Sequence, residues 1–90
     1  MADPFPSVLR ATLLTRPGCH LCEEFLAQLV AARPQLAGRV EIADVDSRPE
    51  WRRRYGYRIP ALLDAHGELV CALRFDAQAV DEKLKSVPKA

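Results

Sequence analysis

The sequence predicts an α/β domain in the order β-α-β-α-β-β-α, with a four-stranded mixed sheet flanked by helices. Three observations predict it. Short apolar runs alternate with segments whose apolar residues recur at helical spacing, the pattern of strands and helices packed in layers. The breaks fall at Pro17-Gly18, Pro34, Gly56 and Gly67, residues that interrupt regular structure. Ninety residues, with no linker, repeat or low-complexity tract, leave room for one domain, since a typical domain takes roughly 150. Residues 1–90 are therefore read as a single unit with a core of about residues 9–86.

The elements follow in chain order. Leu9 to Thr15 reads as a first strand, apolar on both faces and so central in its sheet. From about His20 to Arg33, Cys22, Phe25, Leu26 and Leu29 mark one helical face, with Glu23 and Glu24 in the first turn and Arg33 in the last to match the macrodipole. Val40 to Val45 is a second strand. Ser47-Arg48-Pro49-Glu50 fits a capping box that opens a short helix through about Tyr55, with Gly56 as its stop. Ala61 to Asp64 and Glu68 to Leu73 flank Ala65-His66-Gly67 as a hairpin. Asp76 caps a last helix with Val80, Leu84 and Val87 on its apolar stripe. The first βαβ unit should be parallel and right-handed, and the hairpin antiparallel.

Composition narrows the functional classes. Hydrophobic residues are 49% and charged ones 28%, which excludes disorder and a collagen-like repeat. Thirteen Lys and Arg against twelve Asp and Glu leave a net charge of +1, too balanced to point to nucleic acid. No apolar run approaches the ~20 residues of a membrane span. Met1 to Ser7 has neither a basic nor an apolar signal region, so a cytoplasmic location is the default, with monomer as the default state. Three cysteines are too few for a disulfide scaffold, and in a reducing compartment a pair reads as catalytic or metal-binding.

The motif that carries chemistry is Cys19-His20-Leu21-Cys22, a C-x-x-C placed where a strand ends and a helix begins. At a helix N-terminus, unpaired N–H groups and the dipole favour a thiolate, lowering the Cys19 pKa below that of a free thiol. Cys22 lies one turn on, along the same face but towards the buried side. That asymmetry suits Cys19 as nucleophile and Cys22 as resolving thiol. A zinc site completed by Cys71 and His66, iron–sulfur ligation by a dimer, and coincidental core cysteines are the competing readings. No second C-x-x-C is present, so no metal is assigned.

Thr15 to Cys22 resembles the active-site region of glutaredoxins. Arg58-Ile59-Pro60-Ala61-Leu62, followed by His66 to Val70, resembles the thioredoxin-superfamily stretch that holds a cis-proline and its hairpin. Tyr55 to Arg58 is similar to thioredoxin-type sequences, and the resemblance spans roughly residues 9 to 85. Glutaredoxins usually carry C-P-Y-C where this chain has C-H-L-C, and many have Gly-Gly where it has Leu73-Arg74-Phe75-Asp76. Gly18 precedes Cys19 where thioredoxins carry Trp, and the first strand has no carboxylate. The chain therefore resembles the short glutaredoxin-like proteins of bacteria.

That resemblance implies a thioredoxin-like fold and a redox-active Cys19–Cys22 disulfide. It implies a cis peptide before Pro60, placed beside Cys19, and an Ile59 backbone that pairs with an extended substrate. It further implies that the chain reduces a disulfide-bearing protein or a glutathione mixed disulfide, with no bound cofactor. Electrons would come from glutathione or a thioredoxin-reductase-type flavoenzyme.

Around the motif, a protonated His20 would favour the thiolate, against the plainer reading of an exposed first-turn residue. Arg16 is a candidate to steer an anionic thiol or stabilise the thiolate, or else a solvated loop residue. Trp51 to Tyr55 reads as a helix with its aromatics inward and arginines in solvent, or with Arg53 or Arg54 binding a substrate carboxylate. Cys71, alternating with Leu69 and Leu73, reads as a buried apolar filler. The alternative from another class is a non-catalytic module on a redoxin fold that binds metal or iron–sulfur or docks a partner.

Overall fold

In the computed structural model, which describes residue 5 and residues 9–85, the elements fall in the expected order. They are β1 (Ala11–Thr15), α1 (His20–Ala32), β2 (Val40–Asp44), α2 (Pro49–Tyr55), β3 (Ala61–Leu63), β4 (Leu69–Ala72) and α3 (Ala77–Val80). The strands form one sheet in the order β2-β1-β3-β4. β1 runs parallel to β2 and antiparallel to β3, and β3 pairs antiparallel with β4. This is the four-stranded mixed sheet the alternation of patterns predicts.

β1 is apolar on both sides because both sides are covered. Ala11 and Leu13 pack with Phe25 and Leu29 of α1, Leu62, Val70, Val80 and Leu84. Leu14 packs the other way, with Val45, Tyr55 of α2, Ala61 and Leu63. Strand alternation thus divides one five-residue segment between two cores. Leu13, Leu14, Leu29 and Leu62 are fully buried, and each such side chain contributes about 1.5–3 kcal/mol relative to an exposed one. No buried residue among those described is polar or charged. No helix among them is long and apolar enough to cross a membrane.

Several local expectations are corrected. Ser47 does not cap α2: its hydroxyl donates to the Asp44 carbonyl, and Arg48 occupies the cap with no side-chain bond. Asp44 does the capping instead, accepting from Asp46 N–H at 2.8 Å and opening a 3₁₀ turn over Val45–Ser47. Gly56 ends α2 with φ −55°, so a left-handed conformation is not what requires glycine there. A Cβ at Gly56 would lie 2.5 Å from the Arg52 carbonyl oxygen, so it is close approach that demands glycine.

Arg33 follows the last turn of α1 and reaches across to Asp81, with Nε–Oδ1 at 2.7 Å. Glu24 pairs with His20 one turn back. α3 is short and continues as a π-type turn over Asp81–Lys85, with Asp76 as its cap at 3.1 Å from Ala79 N–H. Val87 lies outside the described residues. The hairpin turn is held by Asp64, whose Oδ1 accepts from the N–H groups of His66 and Glu68, with Gly67 left-handed at φ 81°.

Cys71 departs from its expected place for a reason in the sheet. The β3–β4 register shifts between Leu62 and Leu63, which pair with Cys71 and Leu69. Val70 and Cys71 therefore both face the α1 side, while Leu69 packs on the α2 side. Cys71 is half-buried rather than enclosed, and burial pushes its thiol pKa up.

Candidate active site

The site is built at the end of β1. Arg16-Pro17-Gly18-Cys19 forms a tight turn closed by the Cys19 N–H on the Arg16 carbonyl at 3.0 Å. Proline second and a left-handed glycine third, φ 78° at Gly18, are the residues a type II turn requires. The turn delivers Cys19 to the N-cap of α1 with φ −82° and ψ 106°.

There the Cys19 Sγ accepts from the Cys22 N–H at 3.2 Å. That donor and the helix dipole both stabilise negative charge on this sulfur once it is reduced. Cys19 and Cys22 are joined as a disulfide, with Cα atoms 5.3 Å apart. Cys19 is half-exposed while Cys22 is only 4% exposed, so the outer cysteine is far more accessible to solvent than the inner one.

Arg16 lies against the turn with its guanidinium fully engaged. Nε and Nη2 donate to the two carboxylate oxygens of Asp46 at 2.7 and 2.9 Å, and Nη1 donates to the Gly56 carbonyl at 3.0 Å. Arg52 approaches the same carboxylate at 3.6 Å. The Arg16 guanidinium holds the Asp46 carboxyl below the usual aspartate range. This clamp joins the cysteine turn to the end of α2. Sequence reading named Arg16 but missed Asp46, since two residues thirty positions apart leave no local signal of their pairing.

His20 is 82% exposed at its side chain, and its Nε2 lies 3.0 Å from Glu24 Oε2 along the outer face of α1. A cavity of about 220 Å³ opens beside the cysteines between Leu13, Arg16, Leu26 and Ile42. The Ile59–Pro60 peptide is cis, as the resemblance implied. Leu14 pairs with Ala61, which sets Pro60 level with Thr15 at the end of β1 that leads into the cysteine turn. The Pro60 carbonyl accepts from Leu73 N–H at 2.7 Å. The half-buried Ile59 makes no backbone hydrogen bond among the described residues.

His66 sits in the turn between β3 and β4, at the opposite end of the sheet from Cys19. Among the described residues, no three His, Cys, Asp or Glu side chains come together as a metal site. On α2, Tyr55 is buried and Trp51 half-buried, with the Arg48 guanidinium 4.4 Å over the Trp51 ring. Arg52, Arg53 and Arg54 are exposed.

The model of the glutaredoxin-like domain family (DUF836) matches residues 10–85. The solution structure of the protein Ne2328 from Nitrosomonas europaea is similar, with a TM-score of 0.73 and 26% identity over 84% of this chain and 91% of that one. An X-ray structure of a structural-genomics target protein from X. campestris is similar with a TM-score of 0.66 and 32% identity, over 87% of this chain and 99% of that one. No curated protein sequence matches. Together these show a glutaredoxin-like chain with a thioredoxin-like fold.

Proposed function

Because the chain belongs to the glutaredoxin-like domain (DUF836) family, we propose that it is a thiol–disulfide oxidoreductase working through Cys19 and Cys22. One observation carries the reading: a half-exposed sulfur caps α1 and accepts a backbone N–H, with a second sulfur buried directly behind it. In the reduced protein, the Cys19 thiolate attacks one sulfur of a substrate disulfide. A new S–S bond joins Cys19 to the substrate, and the other substrate sulfur leaves as a thiolate that takes up a proton. Cys22 loses its proton and attacks the Cys19 sulfur, releasing the second substrate thiol and closing the Cys19–Cys22 disulfide. Two electrons and two protons have passed to the substrate. An external thiol or dithiol then restores the pair, either glutathione or a thioredoxin-reductase-type flavoenzyme.

The surrounding residues fit supporting roles. The free backbone of Ile59, ahead of Pro60, offers strand-like pairing to an extended substrate. Protonated His20 would add positive charge near Cys19, and Arg16 holds the turn that presents it. This chemistry belongs in a reducing, cytoplasmic setting and needs only one copy of the chain. Cys19→Ser is expected to abolish disulfide reductase activity, while Cys22→Ser accumulates the mixed disulfide as an adduct visible by mass spectrometry. Full activity in Cys19→Ser would overturn the reading.

A further inference from the structure

Asp46 takes no part in the sulfur chemistry, yet it holds the cation that stands beside the sulfurs. Arg16 is the only positively charged residue among those lining the cavity of about 220 Å³ at Cys19 and Cys22. Its backbone is one tight turn from Cys19, whose N–H donates to the Arg16 carbonyl at 3.0 Å. A guanidinium in that position is the natural partner of a Cys19 thiolate, because a nearby opposite charge favours the ionised form.

The side chain is committed elsewhere. Nε and Nη2 donate to the two Asp46 oxygens at 2.7 and 2.9 Å, and Nη1 donates to the Gly56 carbonyl at 3.0 Å, so all three nitrogens are engaged. A two-point contact with a carboxylate offsets the guanidinium charge and fixes its plane. Arg52 meets the same carboxylate at 3.6 Å, and Asp44, which also acts on Arg16, accepts the Asp46 N–H at 2.8 Å. Glu23 is the only carboxylate lining the cavity and adds negative charge there. His20 pairs with Glu24 on the outer face of α1. What favours a Cys19 thiolate is then the Cys22 N–H at 3.2 Å together with the helix terminus.

We propose that Asp46 is a positioning residue of the cysteine pair: by holding Arg16 against the end of α2 it withholds that cation from the Cys19 thiolate and keeps the pair reducing. Stabilising the thiolate stabilises the dithiol against the disulfide. A released arginine therefore makes the pair a stronger oxidant, and a restrained one leaves it a donor of electrons. The inference rests on the oxidoreductase reading and adds the residue that sets its direction.

Three variants of the full chain test it: Asp46→Asn, Asp46→Ala, and Asp46→Ala combined with Arg16→Gln. The ion pair is partly exposed, so its loss should leave the fold intact, as circular dichroism checks. Alkylation of reduced Cys19 by iodoacetamide is followed across pH by mass spectrometry, and the disulfide is equilibrated with glutathione buffers. Both single variants are expected to move the midpoint of the Cys19 profile down by about one unit. The glutathione equilibrium should shift towards the dithiol by up to about tenfold, one unit being a factor of ten. Adding Arg16→Gln should remove both shifts, because they belong to the released cation. A loosened turn would move Cys19 the other way, up towards a free thiol, so a lower midpoint is not a product of unfolding. An unchanged or raised midpoint in both single variants, or a shift that survives in the double variant, would overturn the inference. Neither readout needs substrate turnover, so a wild-type chain without disulfide reductase activity would overturn the oxidoreductase reading separately.

Discussion

Replacing Gly56 by alanine separates two physical accounts of one residue. At φ −55° an L side chain is conformationally welcome, and in open space Gly→Ala stabilises by about 0.4–1 kcal/mol through the unfolded chain. Gly56 has no open space. Its Cβ would stand 2.5 Å from the Arg52 carbonyl oxygen, which is backbone and cannot swing away, and 3.7 Å from Arg16 Nη2. Relieving the clash requires the end of α2 to shift, at an overpacking cost of about 1–3 kcal/mol. A net loss of about 2 kcal/mol would lower Tm by roughly 8–16 °C in a domain of this size. Gly38→Ala is the matched control, since no atom lies within 4 Å of its Cβ and its φ is not left-handed. It should be neutral or slightly stabilising. Thermal and urea unfolding of the oxidised protein measure both variants. If Gly56→Ala matched the control or stabilised the fold, the close-approach account would be wrong.

Other perturbations have defined outcomes. Asp46→Asn removes the counter-charge from Arg16 and should lower the urea midpoint at neutral pH. Because the Asp46 carboxyl is lowered by its bond to Arg16, its stabilisation is complete above the ordinary aspartate range and is lost as pH falls through the depressed native value. The gap between wild type and Asp46→Asn should therefore close on acidification, and a gap constant with pH would contradict the clamp. Leu29→Ala, at a fully buried position of α1, should cost about 2–5 kcal/mol in denaturant unfolding. Cys71, whose thiol is pushed up by burial, should be alkylated more slowly than Cys19 in the reduced protein at neutral pH, as followed by mass spectrometry.

Much of the fold was legible because its signals are local. The two-faced apolar pattern of β1, the helical spacing from Cys22 to Leu29, and the Asp76 cap each lie within a few residues and appear as read. The cysteine pair was legible for the same reason, with Pro17-Gly18 fixing the turn that presents it. What escaped depends on residues far apart in sequence. Asp46 matters because Arg16 reaches it, and Cys71 changes neighbours because a register shift next to it turns the strand. The Ser47 capping box failed because Asp44 engages the same stretch first and draws the Ser47 hydroxyl onto its carbonyl. Leu73 could not have been anticipated: nothing in its identity suggests a left-handed backbone, which comes from the hydrogen bond to Pro60.

The placement of β1 also bears on the order in which the protein acquires its chemistry. β3 and β4 are joined by a tight turn and can pair early, whereas Ala11 must find Val40 and Leu14 must find Ala61 across long loops whose closure is slow. β2 pairs only with β1 among the described strands, so the sheet is complete only once β1 has joined β2 to the β3–β4 hairpin. In a reduced chain that is still folding, both thiols stay open to any oxidant until that step. Afterwards Cys22 is hidden and only Cys19 faces outward. Pulsed alkylation during refolding should therefore show Cys22 protection appearing with the final kinetic phase.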